Sequence, residues 1–90
     1  MGTLVYGFVH RDDGGAVAEA RVSFSVSPVE VPDVALLTDG KGRFTLHAPA
    51  PGHYEVSCHA DGLEPTMVAI DLVAGQGEVQ VDIELKATAQ

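Results

Sequence analysis

Apolar residues recur at every second position through most of this chain, and clusters of glycine, proline and aspartate interrupt them about every ten residues. A side-chain period of two belongs to a β-strand with one face against a core and the other in water. Val22, Phe24 and Val26 alternate with Ser23, Ser25 and Ser27; Tyr54, Val56, Cys58 and Ala60 alternate with His53, Glu55, Ser57 and His59. Near the end Val79, Val81, Ile83 and Leu85 alternate with Glu78, Gln80, Asp82 and Glu84. No window of eleven or more residues keeps a 3.6 period without a glycine or proline, so no helix is expected.

The pattern predicts seven strands, over residues 3–10, 20–27, 34–38, 43–47, 53–60, 65–73 and 78–85. Strand one closes on Arg11-Asp12-Asp13-Gly14-Gly15, where glycine supplies positive φ and aspartate bonds to nearby backbone. Pro28 and Pro32 bracket a connection that cannot join a central ladder, read here as a loop between the sheets. Asp39-Gly40-Lys41-Gly42 separates two short strands and predicts a β-hairpin. Residues 1–86 make one domain and 87–90 a C-terminal tail. Seven half-apolar strands at this length bury their faces by packing as two sheets, so the fold class is an all-β sandwich.

Charge narrows the partners. Thirteen acidic residues against five basic ones give −8, and Arg11, Arg21, Lys41, Arg43 and Lys86 are dispersed rather than clustered. Nucleic acid and anionic lipid bind clustered cations, so neither is expected, and no apolar run approaches the roughly 18 residues of a membrane span. Met1 leads directly into a strand with no signal-peptide features, which implies a cytoplasmic chain or one excised from a longer protein. Cys58 is the single cysteine and has no internal partner for a disulfide.

The order of the turns carries a resemblance. Gly7 and Val9, Gly14-Gly15, then Val17, Ala20 and Val22, followed by Thr38-Asp39-Gly40-Lys41-Gly42-Arg43-Phe44 and Pro51-Gly52-His53-Tyr54, resemble the carboxypeptidase regulatory-like domains. Asp61-Gly62-Leu63-Glu64-Pro65 and residues 75–85 are similar to that family's closing segments, so the resemblance covers nearly the whole chain. It implies a seven-stranded transthyretin-like Greek-key sandwich used as an accessory or partner-binding module, with no reaction attached. In this reading Phe44 is planted in the core and Tyr54 anchors the chain after the proline turn. The hydroxyisourate hydrolases have a related fold, but their first-strand histidine falls near Gly7 here, and their Tyr-Arg-Gly-Ser ending has no counterpart in Lys86-Ala87-Thr88-Ala89-Gln90.

No catalytic residue, metal site or cofactor is expected from the remaining chemistry. His53 and His59 share a face but stand six residues apart, roughly 20 Å along a strand, too far for one ion. His47 and His53 flank the proline turn and would share an ion only if that loop folded back; His10 stands apart. Cys58 alternates with core residues and reads as a small buried hydrophobe. Asp12, Asp13 and Asp39 sit in glycine turns, where short acids bond to backbone. The chain has no asparagine, which removes a Lys–Asn isopeptide staple.

One feature departs from an inside–outside pattern. With Val5, Gly7 and Val9 facing inward, Leu4, Tyr6 and Phe8 face outward together, and contiguous exposed apolar area marks an interaction surface. These three residues are the candidate partner-binding or self-association site, on a strand expected at a sheet edge open to augmentation. Two alternatives compete: a cover from the chain's own 28–33 loop, or a parity shifted by one residue. Gly7 itself marks close packing or a bulge. Two classes of function follow: a non-enzymatic module for protein–protein interaction or assembly, or a transthyretin-type small-ligand carrier or minor enzyme with a site between subunits.

Overall fold

The computed structural model describes residues 2–30 and 35–87. It forms eight strands: β1 (Thr3–Arg11), β2 (Arg21–Val26), β3 (Leu36–Leu37), β4 (Arg43–Ala48), β5 (Gly52–His59), β6 (Thr66–Leu72), β7 (Glu78–Gln80) and β8 (Ile83–Leu85). One sheet runs β4-β1-β7 with β8 also on β1, and the other runs β3-β2-β5-β6. Along β1, β4 and β5 the alternation read from the sequence is the burial pattern observed. Val5 and Val9 of β1, Phe44, Leu46 and Ala48 of β4, Tyr54, Val56 and Cys58 of β5, and Val81, Ile83 and Leu85 form one core between the sheets. Removing a side chain the size of Ile83 or Leu85 from water contributes about 2 kcal/mol each.

Strand one is not at an edge. It lies in the middle of its sheet, antiparallel to β4 on one side and parallel to β7 and β8 on the other. Local pattern reports that a segment is a strand; its neighbours are set by the C-terminal segment, more than seventy residues away in the chain. With both neighbours in place its backbone is not open to augmentation.

The expected last strand is interrupted. β7 and β8 keep one register against β1, Val5 opposite Val79 and Val9 opposite Ile83, but the ladder breaks between them. Val81 N–H still donates to the Tyr6 carbonyl at 2.7 Å. A regular parallel ladder would next join the Phe8 amide to the Val81 carbonyl. Instead Phe8 N–H donates to Asp82 Oδ1 at 3.3 Å, and the Val81 carbonyl lies against Gly7, in the space a Cβ would fill. The bulge or close packing that Gly7 suggested is this contact.

The hairpin over residues 34–47 does not form a ladder. β3 pairs with β2 and β4 pairs with β1, so the Asp39–Gly42 turn passes from one sheet to the other. Thr38 holds the first side: it is buried, its N–H donates to the Ala20 carbonyl at 3.0 Å, and its hydroxyl donates to the Val17 carbonyl at 2.6 Å while accepting from Ala20 N–H at 2.9 Å. Gly42 holds the other, its carbonyl accepting from Val9 N–H at 2.7 Å, at a φ of 77° with backbone too close to Val9 to admit a side chain. Asp39 fixes the bend between them. Its Oδ1 accepts from the amides of Lys41 and Arg43, each at 2.9 Å, and its Oδ2 takes the Arg43 guanidinium at 2.7 Å. Those bonds from Arg43 hold the Asp39 carboxyl below the usual carboxylate range.

Two smaller expectations also change. The connection bracketed by Pro28 and Pro32 joins strands of one sheet, because β2 and β3 pair; residues 31–34 of it lie outside the described residues. Ser25 is a bulge, the register stepping from Phe24 opposite Val56 to Val26 opposite Glu55, and it turns Val26 out to 42% exposure. Ala87, read as tail, bridges to Leu63.

Candidate interaction surface

Leu4, Tyr6 and Phe8 leave the core side of β1 to Val5, Gly7 and Val9, as the parity required. Leu4 and Tyr6 are half-buried and Phe8 is 42% exposed. Because cross-strand partners share a face, the register fixes what flanks each of them. Leu4 lies between His47 and Glu78, and Tyr6 between Thr45 and Gln80. Phe8 has Arg43 on the β4 side and the Asp82 carboxylate at its amide; beyond it His10 pairs with Glu84. An apolar stripe thus runs down the middle of the sheet's outer face. Its β4 rim carries Arg43, which pairs with Asp39, and His47, and its β7–β8 rim carries Glu78, Asp82 and Glu84. That charge division is not visible in the linear sequence, where the two rims are more than thirty residues apart.

Both central charges are pre-positioned. Arg43 is tethered through Nε to the Asp39 carboxylate in an ion pair of 2.7 Å. Asp82 is held by the Phe8 amide and by Gln80 Nε2 at 3.2 Å.

The outer face of the other sheet mixes polar and apolar groups: Leu37 and Met67 are each 61% exposed there, opposite Arg21 and Ser57, and Val26 lies opposite Glu55. His53 on β5 stands opposite Asp71 on β6, with Nδ1 2.8 Å from Asp71 Oδ1 and Nε2 3.6 Å from Glu55 Oε2. The Asp71 hydrogen bond, aided by Glu55, raises the His53 pKa above its ordinary 6.5. The charged imidazole therefore favours folding fully below the unfolded value, and the contribution disappears as pH rises through the raised one. His53→Gln should lower the melting temperature when measured near about pH 5.5 and leave it unchanged near about pH 9. An equal loss at both would show that the ion pair contributes nothing. His47 and His53 face outward from different sheets, on opposite sides of the sandwich, so they do not converge.

Among the described residues no three His, Cys, Asp or Glu side chains are grouped to hold a metal ion. Cys58 is fully buried opposite Val22, and desolvation pushes its thiol up to about 11, which keeps it protonated and inert at neutral pH. One depression, of about 690 Å³, lies among Arg11, Val17, Glu19, Arg21, Leu37 and Leu63. It is open, and its two arginines face Asp13 at 3.4 Å and Asp61 at 3.9 Å.

Two packed sheets around one continuous core make a β-sandwich. The model of the carboxypeptidase regulatory-like domain matches residues 5–86, and the chain belongs to that family. No curated protein matches the chain significantly. Among solved structures it is similar to catechol 1,2-dioxygenase from Acinetobacter sp. ADP1, at 12% identity and a TM-score of 0.75 over 98% of this chain and 53% of that one. It is also similar to 3-chlorocatechol 1,2-dioxygenase from Rhodococcus opacus 1CP, at 14% identity and a TM-score of 0.72 over 97% of this chain and 60% of that one. A chain of a type II cohesin–X-dockerin complex from Acetivibrio cellulolyticus matches at 20% identity and a TM-score of 0.68, over 94% and 58% respectively. The chain spans little more than half of each of these structures, and at such identities the likeness is one of fold.

Proposed function

We propose that this domain is a non-enzymatic docking module whose contact surface is the outer face of the β4-β1-β7 sheet, centred on Leu4, Tyr6 and Phe8. The observation that carries the proposal is the apolar stripe between one rim bearing Arg43 and His47 and another bearing Glu78, Asp82 and Glu84. Natural sandwiches keep the solvent face of a sheet polar, and here the central strand of that face is apolar at three successive outward positions. Counting β7 and β8 as one strand broken at Val81–Asp82 gives the seven-stranded transthyretin-like Greek key; their shared register against β1 supports that count. In such a module the sandwich supplies a rigid frame, and the rims orient whatever covers the stripe. The cohesin–dockerin complex, itself an assembly of proteins, is in keeping with this use of the fold.

A photo-crosslinking side chain at Thr45, which stands beside Tyr6 on the face, tests the surface. Illumination of the purified protein and of a native extract should give protein adducts from position 45 and none from the same group at Ser57, on the opposite sheet. Adducts from position 57 alone, or from neither, would overturn the assignment.

A further inference from the structure

The occupant of this face follows from the way its charges are divided, an inference that rests on the docking reading above. We propose that the face binds a second copy of the same chain, about a two-fold axis running along β1.

Two faces of the same kind meet through a two-fold axis lying in the plane between them. If that axis runs across the strands, β4 covers β4 and the acidic rim covers itself, bringing Glu78, Asp82 and Glu84 against their own copies. Like charges juxtaposed in this way oppose association. If the axis runs along β1, the two rims exchange: β4 of one copy covers β7 and β8 of the other. Levels along the strand are preserved by that rotation. Arg43, level with Phe8, then meets Asp82 of the second copy, and His47, level with Leu4, meets Glu78 of the second copy. Each contact occurs twice. At the centre Tyr6 meets Tyr6, flanked by the short or flexible Thr45 and Gln80, which leave room for two rings. The twist of the sheets brings them together at about 30° and about 10 Å apart, the ordinary geometry of aligned sheet packing.

Size sets the strength. Three strands about 5 Å apart and about 25 Å long give a face that buries on the order of 1,000 Å² in total, at the low end for a specific complex. The dimer is therefore weak and concentration-dependent, and the net charge of −8 on each copy weakens it further.

Sedimentation equilibrium of the wild type from micromolar to millimolar concentration should show a reversible monomer–dimer mixture. Arg43→Glu and Asp82→Arg should each reduce self-association roughly tenfold or more. Mixed together, the two variants should associate as well as the wild type, because one carries two acidic positions and the other two basic ones at the exchanged sites. The double exchange in a single chain should also recover the dimer. Arg43 and Asp82 each make bonds within the chain, so circular dichroism must confirm folding, and His47→Glu with Glu78→Lys repeats the exchange at side chains that make no hydrogen bond or ion pair among the described residues. Recovery on mixing in either pair is expected only from the axis along β1.

A wild type that stays monomeric throughout overturns the proposal, and so does a dimer indifferent to both exchanges. Adducts from position 45 in extract, given by a chain that never self-associates, would leave the docking surface standing and assign it to a different protein. Absence of both adducts and dimer would remove the surface as well.

Discussion

Gly7→Ala is expected to destabilise the domain by about 3 kcal/mol or more, a loss large against the total stability of a chain this size. The cause is not glycine's conformational freedom, since Gly7 is absent from the positions of positive φ. A Cβ at Gly7 would overlap the Val81 carbonyl oxygen and crowd the Val81 carbonyl carbon at 2.6 Å, and both are backbone atoms that no rotamer change can move. The only escape is to rotate the peptide after Val81 back toward the ladder, which displaces Asp82 from the Phe8 amide and disturbs Val81 and Ile83 in the core. Gly77→Ala is the matched comparison. Nothing lies within 4 Å of its added Cβ and its φ is not positive, so its urea midpoint should be unchanged or slightly raised. Equal midpoints for the two variants would mean that the break between β7 and β8 is not held by contact with Gly7.

The same two residues show what a linear reading can and cannot reach. Gly7 stood out because it is inward-facing between Val5 and Val9, where a side chain was expected; the sequence signals that something fills the gap. What fills it is a backbone carbonyl from a strand paired at a separation of more than seventy residues, and no local pattern specifies such a partner. The inward sets of β1, β4 and β5 were legible, down to Tyr54, Val56, Cys58 and Ala60, all buried, because period two depends only on the residue's own strand. Pairing depends on two strands and was misread where a turn looked local. Asp39-Gly40-Lys41-Gly42 announces a reversal, yet a turn leading across from one sheet to the other uses the same residues as a hairpin. The decisive residue was Thr38, a polar side chain in an inward position whose hydroxyl satisfies two backbone groups of the 17–20 segment. The bulge at Ser25 was hidden for a related reason: serine fits the outward alternation whether or not a residue is added to the ladder. The apolar stripe was legible from strand one alone. Its unlike rims, Arg43 and His47 on one side and the acidic residues on the other, emerged only when β4 and β7 were placed on either side of it.

Tyr54→Ala should cost about 4 kcal/mol, and Tyr54→Phe about 1 kcal/mol, when urea unfolding is followed for each. The two numbers separate two jobs. The ring is fully buried and packs 4.7 Å from Phe24, centroid to centroid, so truncation to alanine leaves a cavity where β2 and β5 meet. The hydroxyl reaches back over the proline turn, donating to the Ala50 carbonyl at 2.7 Å and accepting from its amide at 3.3 Å. Ala50 is only partly buried, so water replaces those bonds in the phenylalanine variant and the loss stays small. A loss near 3 kcal/mol in Tyr54→Phe would instead mean that the hydroxyl bears the weight of the turn. The distinction reaches the interaction surface, because that turn leads from β4 in one sheet to β5 in the other. β4 carries Arg43, Thr45 and His47, and its outer edge has no further strand in its sheet among the described residues. Its position relative to β1 is set by their shared ladder and by the two connections at its ends, one bonded through Asp39 and the other through Tyr54. Tyr54→Phe, which keeps the core but loosens one of those connections, should therefore remain folded while weakening association at the face; if it associates as the wild type does, the ladder with β1 alone is enough to hold the rim.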